Sequence, residues 1–244
     1  MGPTMSTGWE QFPAHRSIDQ QKRDAKRQLA RLAEKNPDVS PIVVTGRKIA
    51  TTWWGTAWCK NLERYADFYN RIGRGRSYVR CGFVFDMQVE EGVITALVGG
   101  SSTYKIIIKI DTLNERKWNA IVRACAKRID SISALVEGKF PEELAEMLTQ
   151  KGEGLFPSPR EIHMRCSCPD QAYLCKHIAA TLYGIGAKLD HDPLLFFTLR
   201  GIDPSELIKK SIEEKTQAML ANAYTTSPRV IDDSCVERIF GVTL

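Results

Sequence analysis

Three cysteines and a histidine crowd into the twelve residues of "CSCPDQAYLCKH", Cys166 to His177, as Cys-x-Cys, six residues, then Cys-x-His. This cluster constrains the fold more tightly than any other feature of the chain. Zinc accepts mixed thiolate and imidazole donors in a tetrahedron. Cys166 and Cys168 lie two apart in an extended segment, so their side chains leave the same side of the backbone. Pro169 then ends strand pairing and turns the chain. Cys175 and His177, two apart on a regular helix, would splay by about 200°. They converge only if Cys175 belongs to the turn and His177 to the first turn of the next helix. Ile178, Leu182, Ile185 and Leu189 recur at helical spacing and announce that helix. The segment therefore predicts a strand, a knuckle and a helix joined by one structural zinc on Cys166, Cys168, Cys175 and His177. His163 is a possible substitute ligand. Cys59, Cys81, Cys125 and Cys235 have no partner at metal spacing and read as core or surface thiols.

Seven cysteines, an odd number in 244 residues, argue against a disulfide scaffold and for reduced thiols inside the cell. No apolar run approaches the ~20 residues of a membrane span, and the N-terminus lacks the apolar core of a secretory signal. The expected location is cytoplasmic, with no membrane partner. The net charge of +5 is unevenly spread. Residues 1–110 carry +7, residues 111–165 balance, and the chain from Cys166 onward carries −2. Attraction to nucleic acid is thus expected from the first half.

Residues 18–35 read as a basic helix, with Ala25, Leu29 and Leu32 as its thin apolar stripe and Lys22, Arg23, Lys26 and Arg27 among its cations. Trp54, Trp58, Leu62, Tyr65 and Tyr69 form one face of a second helix, taken as core. "GRGRSYVR" reads as a glycine-bearing loop in which Arg74, Arg76 and Arg80 offer forked donors and Tyr78 a stacking face. Phe83, Phe85, Met87 and Val89 alternate, "VITALV" follows a Glu90-Glu91-Gly92 turn, and Tyr104, Ile106, Ile108 and Ile110 alternate again. Short loops between such strands predict an antiparallel meander. Thr112 and Glu115 have capping-box spacing and predict a helix. "FPEELAEMLTQKG" predicts another, and "LFPSPREIHMRC" an extended lead into the cysteines. Two Asp-Pro steps, at Asp192 and Asp203, open the C-terminal helices, and the residues from Thr225 read as a tail.

The fold class expected is α+β: an antiparallel meander sheet with packed helices, then a small zinc-knuckle unit, then C-terminal helices. Residues 1–44 are the basic arm, 45–158 the α+β domain, 159–200 the zinc unit, and 201–244 the last helix and tail.

The form "CSCPD…CKHIAA" resembles the SWIM zinc finger of Swi/Snf-type ATPases, plant transposases and signalling proteins. "TTWWGTAWCKNLE", "GRGRSYVR" and "DPLLFFTLRG" resemble the stand-alone bacterial SWIM proteins that tend to be encoded beside a Swi/Snf-type helicase. The resemblance implies binding to DNA or protein through this module, with such an ATPase or helicase as partner. Three functions compete. A zinc-stabilised adaptor that binds nucleic acid, DNA in particular, or a protein partner fits best. A metalloenzyme would keep an open zinc position with a general base beside it, yet four ligands close this tetrahedron and no His-Glu-x-x-His motif occurs. A redox sensor would need the same sulfurs. The chain has no Walker-type loop, so it supplies no ATPase activity itself.

Overall fold

In a computed structural model of the chain, residues 17–63, 69–126, 148–150, 154–170 and 172–223 are described. They divide into two units: residues up to 109 with 162–191, and residues 110–161 with 192 onward. The zinc segment thus folds with the N-terminal elements although 52 residues separate them in the chain.

The alternating apolar segments form the sheet of the first unit. β1 (Val84–Glu90), β2 (Val93–Gly99), β3 (Thr103–Ile110) and β4 (Ile162–Cys166) lie in the order β1-β2-β3-β4. β1 to β3 are an antiparallel meander, as the sequence predicts. Ser167 N–H donates to Lys105 O and Asp111 N–H to Glu161 O, so β4 is antiparallel to β3 as well, with Arg165 beside Ile107. Tyr104, Ile106, Ile108 and Ile110 are all buried on one face. The first strand departs from simple alternation. Its register shifts between Val84 and Asp86, and this bulge buries Val84 and Phe85 together. Gly92 turns the β1–β2 hairpin at φ 64°.

Among the described residues three helices precede the sheet. α1 (Ile18–Ala33) opens with a capping box between Ser17 and Gln20, buries Ala25, and exposes Lys22, Arg23, Lys26 and Arg27. α2 (Trp53–Glu63) buries Trp58 and Leu62 as expected, and Trp54 is half-buried; Tyr65 and the side chain of Tyr69 lie outside the described residues. The third helix corrects the sequence reading. "GRGRSYVR" is no loop but the body of α3 (Tyr69–Arg80). Gly82, at φ 78°, ends α3: Phe83 N–H returns to Tyr78 O and Gly82 N–H to Val79 O. The Tyr78 and Phe83 rings meet at 4.8 Å, completing a Schellman motif with its apolar contact.

After the knuckle comes α5 (Lys176–Leu189; α4 belongs to the second unit, below), the helix around which the first unit packs. Nearly all of its residues are buried, and glycines let its neighbours approach. A Cβ on Gly75 of α3 would stand 2.8 Å from Ala179 C and Ala180 N, and one on Gly55 of α2 would stand 2.8 Å from Gly186 O. Gly184 faces Met87 of the sheet. The far end of α5 is tied to the start of α2. Asp190 accepts the N–H and hydroxyl of both Thr51 and Thr52. Thr52 in turn caps α2 through Gly55 N–H. Trp54 Nε1 donates to Leu189 O and Trp58 Nε1 to Leu182 O. The "TTWWGTAW" stretch is therefore a strap for the C-terminal half of α5.

In the second unit α4 (Glu115–Ala126) packs on α7 (Pro204–Ala223), with the short α6 (Leu195–Leu199) before α7. Asn114, not Thr112, caps α4, accepting Lys117 N–H at 2.9 Å; Glu115 is already the first helical residue, so no capping box forms. One Asp-Pro signal holds: Asp203 accepts Ser205 N–H at the start of α7, with Pro204 its first residue. Asp192, by contrast, accepts Leu194 N–H in a turn, and α6 begins after Leu194, which has no side-chain cap. Arg200 is 1% exposed and pairs with Glu161 at 2.6 Å. Burial alone would raise the Glu161 carboxyl, but the Arg200 bond and Ser158 hold it down at about 2. A turn of 3₁₀ helix, Pro159–Glu161, interrupts the extended lead into β4. Most of the helix expected over 140–152, the tail from Thr225, and Cys235 lie outside the described residues.

Two outcomes follow. Gly75→Ala, which would normally favour a helix, is expected to destabilise the protein by about 1–3 kcal/mol because the α5 backbone cannot yield; urea unfolding measures it. Asp190→Asn should flatten the acid limb of stability against pH. Burial would raise the Asp190 carboxyl, but the Thr52 and Thr51 donors outweigh it and hold the group below its ordinary 3.8. Its contribution is therefore present above that value and lost as pH falls through the lower, folded-state one. Unfolding of both proteins from pH 6 downward tests the difference.

Candidate metal centre

β4 and α5 bring the four expected donors together. Cys166 ends β4 on the sheet face that carries Ile106, looking toward α5, while His163 and Arg165 stand on the opposite, exposed face. His163 is therefore not the substitute ligand. Cys168 follows in the turn. Cys175 is the N-cap of α5, its Sγ accepting Ile178 N–H at 3.5 Å, and His177 lies in the first helical turn. This placement resolves the splay that a regular helix would impose. The sulfurs and a ring nitrogen of the four residues all lie within 4.8 Å of one another.

His177 presents Nδ1 to the sulfurs, 3.8 Å from Cys175 Sγ and 3.9 Å from Cys166 Sγ. A tetrahedron with Zn–S of about 2.3 Å and Zn–N of about 2.0 Å sets such donors about 3.6 Å apart. The set fits one zinc with a small inward turn of the side chains. Cys175 is held far below the ordinary thiol range, first by the hydrogen bond from Cys166 and also by His177 and the Ile178 N–H. Cys166 is pushed up by that same bond, and Cys168 by burial. By themselves the three sulfurs thus favour a single negative charge, and a divalent cation supplies the countercharge that makes all three thiolates.

The surroundings hold the knuckle in place. Lys105 N–H donates to Ser167 Oγ at 3.0 Å while Ser167 N–H donates to Lys105 O, locking the residue between Cys166 and Cys168 to β3. Asp170 pairs with Arg71 of α3 and accepts Ala172 N–H. Tyr173 hydroxyl closes the base of the knuckle on Ile162 O at 2.8 Å. The His177 ring sits against Tyr104, centroids 4.5 Å apart, and edge-on to Tyr78 at 5.6 Å. Gly100 leaves room beside it, since a Cβ there would be 2.9 Å from Tyr104 Cε2 and 3.1 Å from His177 Nε2. With Nδ1 giving its lone pair to a metal, the neutral imidazole carries its proton on Nε2; this nitrogen is buried and has no hydrogen-bond partner among the described residues.

Of the residues expected to touch nucleic acid, Tyr78 is engaged here: it seats His177, and Lys176 Nζ lies over its ring at 4.7 Å. Arg76 pairs with Glu63 and donates to Tyr183 hydroxyl at 3.1 Å. Arg74 and Arg80 are exposed on α3, as Lys22, Arg23, Lys26 and Arg27 are on α1. The sequence reading missed Arg71, Asp170, Tyr173 and Asp190. Their roles depend on contacts across about 100 residues or on turn geometry, with no local signature. Cys81 and Cys125 are buried, and burial pushes the Cys59 thiol up to about 12, so it is a packing group.

Elemental analysis of freshly purified protein is expected to give one zinc per chain. Structural zinc contributes on the order of 10 kcal/mol to small units, and here it anchors the helix at the centre of a larger one. Cys175→Ser should lose the metal and unfold the region from Ile162 to Leu189 at lower temperature, read by zinc content and thermal unfolding. Full retention of zinc in that variant would contradict the assignment.

Comparison with known proteins agrees with this geometry. Residues 157–184 match the SWIM zinc finger family. The uncharacterized protein Rv2102 of Mycobacterium tuberculosis is 38% identical over 163 residues, 66% of this chain and 58% of that protein. The chain thus spans less than two thirds of the relative's length. No solved structure matches. Among the described residues no helix is long and apolar enough to cross a membrane.

Proposed function

We propose that this chain, built around a SWIM zinc finger, is a non-catalytic adaptor that binds nucleic acid and serves a Swi/Snf-type ATPase or helicase in the cytoplasm. One observation carries the reading. Four protein donors converge on one point, and a zinc held by all four has no position left for water or substrate. Its work is mechanical: it fixes the start of α5, the helix on which α2, α3 and the sheet pack. Binding by surface is the function such a construction supports. The positive first half of the chain, with its exposed cations on α1 and α3, favours nucleic acid as one partner. The ATPase partner and the choice of DNA rest on resemblance, through "TTWWGTAWCKNLE", "GRGRSYVR" and "DPLLFFTLRG".

The full-length zinc protein is expected to show no nuclease, hydrolase or ATPase turnover of its own, and to co-purify from its native host with a Swi/Snf-type ATPase. Zinc-dependent turnover that vanishes in Cys175→Ser would mean an open metal position and would overturn the reading.

A further inference from the structure

The strand register sorts charge across the outer face of the sheet. Successive rows run Asp86–Leu97–Lys105–Ser167, Gln88–Thr95–Ile107–Arg165 and Glu90–Val93–Lys109–His163. Within these three rows the carboxylates stand on β1 and the cations on β3 and β4. Lys105, Lys109 and Arg165 are exposed, and no carboxylate among the described residues pairs with them. Ile107, Leu97 and Thr95 beside them are half-buried. Lysines are commonly placed on edge strands to prevent aggregation, but β3 is an inner strand, flanked by β2 and β4. Edge protection does not account for Lys105 and Lys109.

We propose that the β3–β4 half of this open face is a sequence-independent contact surface for a nucleic-acid strand, held through its phosphates. The inference rests on the nucleic-acid reading above and names where the strand lies. Lys105 and Lys109 are four residues apart on one strand, about 13 Å, and Arg165 stands between them about 5 Å to the side. That staggered line of three cations can follow a phosphate backbone, and the acidic β1 side repels the strand from the other half. No Phe, Tyr or Trp occupies these three rows, whose one ring is His163 at a corner, so the face offers no run of platforms for stacking successive bases and sequence is not read. The metal centre sets the surface. Cys166 turns inward and is bound, so Arg165 and Ser167 on either side of it are fixed outward. Zinc thereby holds the edge of the binding face without touching the ligand.

The test uses full-length zinc-loaded protein and fluorescent oligo(dT), oligo(rU) and a mixed-sequence DNA duplex, each about twenty units long, titrated by anisotropy at several salt concentrations. Replacing Lys105, Lys109 and Arg165 together by Glu should weaken binding at least tenfold and flatten the salt slope by about two to three units. Zinc content and melting temperature should stay unchanged. If the charge reversal disturbs folding, the Gln triple variant gives the same reading with a smaller loss. Glu90→Gln should bind as tightly as the wild type or more tightly. The three probes separate DNA from RNA and single strand from duplex. If the wild type binds none of them, the nucleic-acid reading itself falls, and this inference with it. If the wild type binds and the triple variants keep its slope, while alanines at Lys22, Arg23, Lys26 and Arg27 reduce it, the strand lies on α1 and only this inference is overturned.

Discussion

A helix buried on nearly every side needs its position fixed at both ends, because close packing dominates its flanks and directional contacts there are few. α5 is such a helix, and its two ends are secured by different chemistry. At the N-terminus Cys175 and His177 share a metal centre with Cys166 and Cys168 of the strand beside it. At the C-terminus Asp190 gathers two threonines from the start of α2. Between these ends the glycines at 55, 75 and 184 remove side chains where neighbours must come near. A shift of α5 by a single residue would break all of these contacts together. The metal therefore specifies one register for the whole first unit, well beyond the knuckle that contains its ligands.

The donors surrounding the centre make the same point at smaller scale. Arg71 reaches Asp170, Tyr78 seats the imidazole, and Ser167 ties the knuckle to β3. Metal sites keep their ligands oriented through such neighbours. Here two of the three come from α3 or its first turn, whose arginines and tyrosine would look, in a list of residues, like a phosphate-binding loop.

What the sequence disclosed and what it concealed divides along locality. The Cys-x-Cys and Cys-x-His pairs, the period-two runs of β1 to β3, and the Asp-Pro helix starts each need only neighbouring residues to be understood. The metal pairs, the meander and Asp203-Pro204 appear in the structure in the expected roles, while Asp192 serves the turn before α6 and a bulge breaks the alternation of β1. "GRGRSYVR" failed because two glycines in four residues weigh against a helix on propensity alone, and that cost is offset by contact: Gly75 rests on the backbone of Ala179. Thr112 failed as a cap because Asn114, two residues on, offers a better-placed side-chain oxygen. Asp190 could not be found at all, since its partners lie 139 and 138 residues away.

Charge shows the same limit in a way that bears on function. Counting along the chain assigns the positive half to residues 1–110 but says nothing about direction. Folding turns Arg71 and Arg76 onto carboxylates and leaves Arg74 and Arg80 outside. It also gathers Lys105 and Lys109, unremarkable in the sequence, with Arg165, which comes from the electrically balanced middle of the chain. These three share a face only because β4 pairs with β3, and β4 is held there by the centre at its end. A zinc finger is often pictured as the element that touches the ligand. In this fold it acts earlier in the chain of causes, arranging a sheet whose outer side carries the charge.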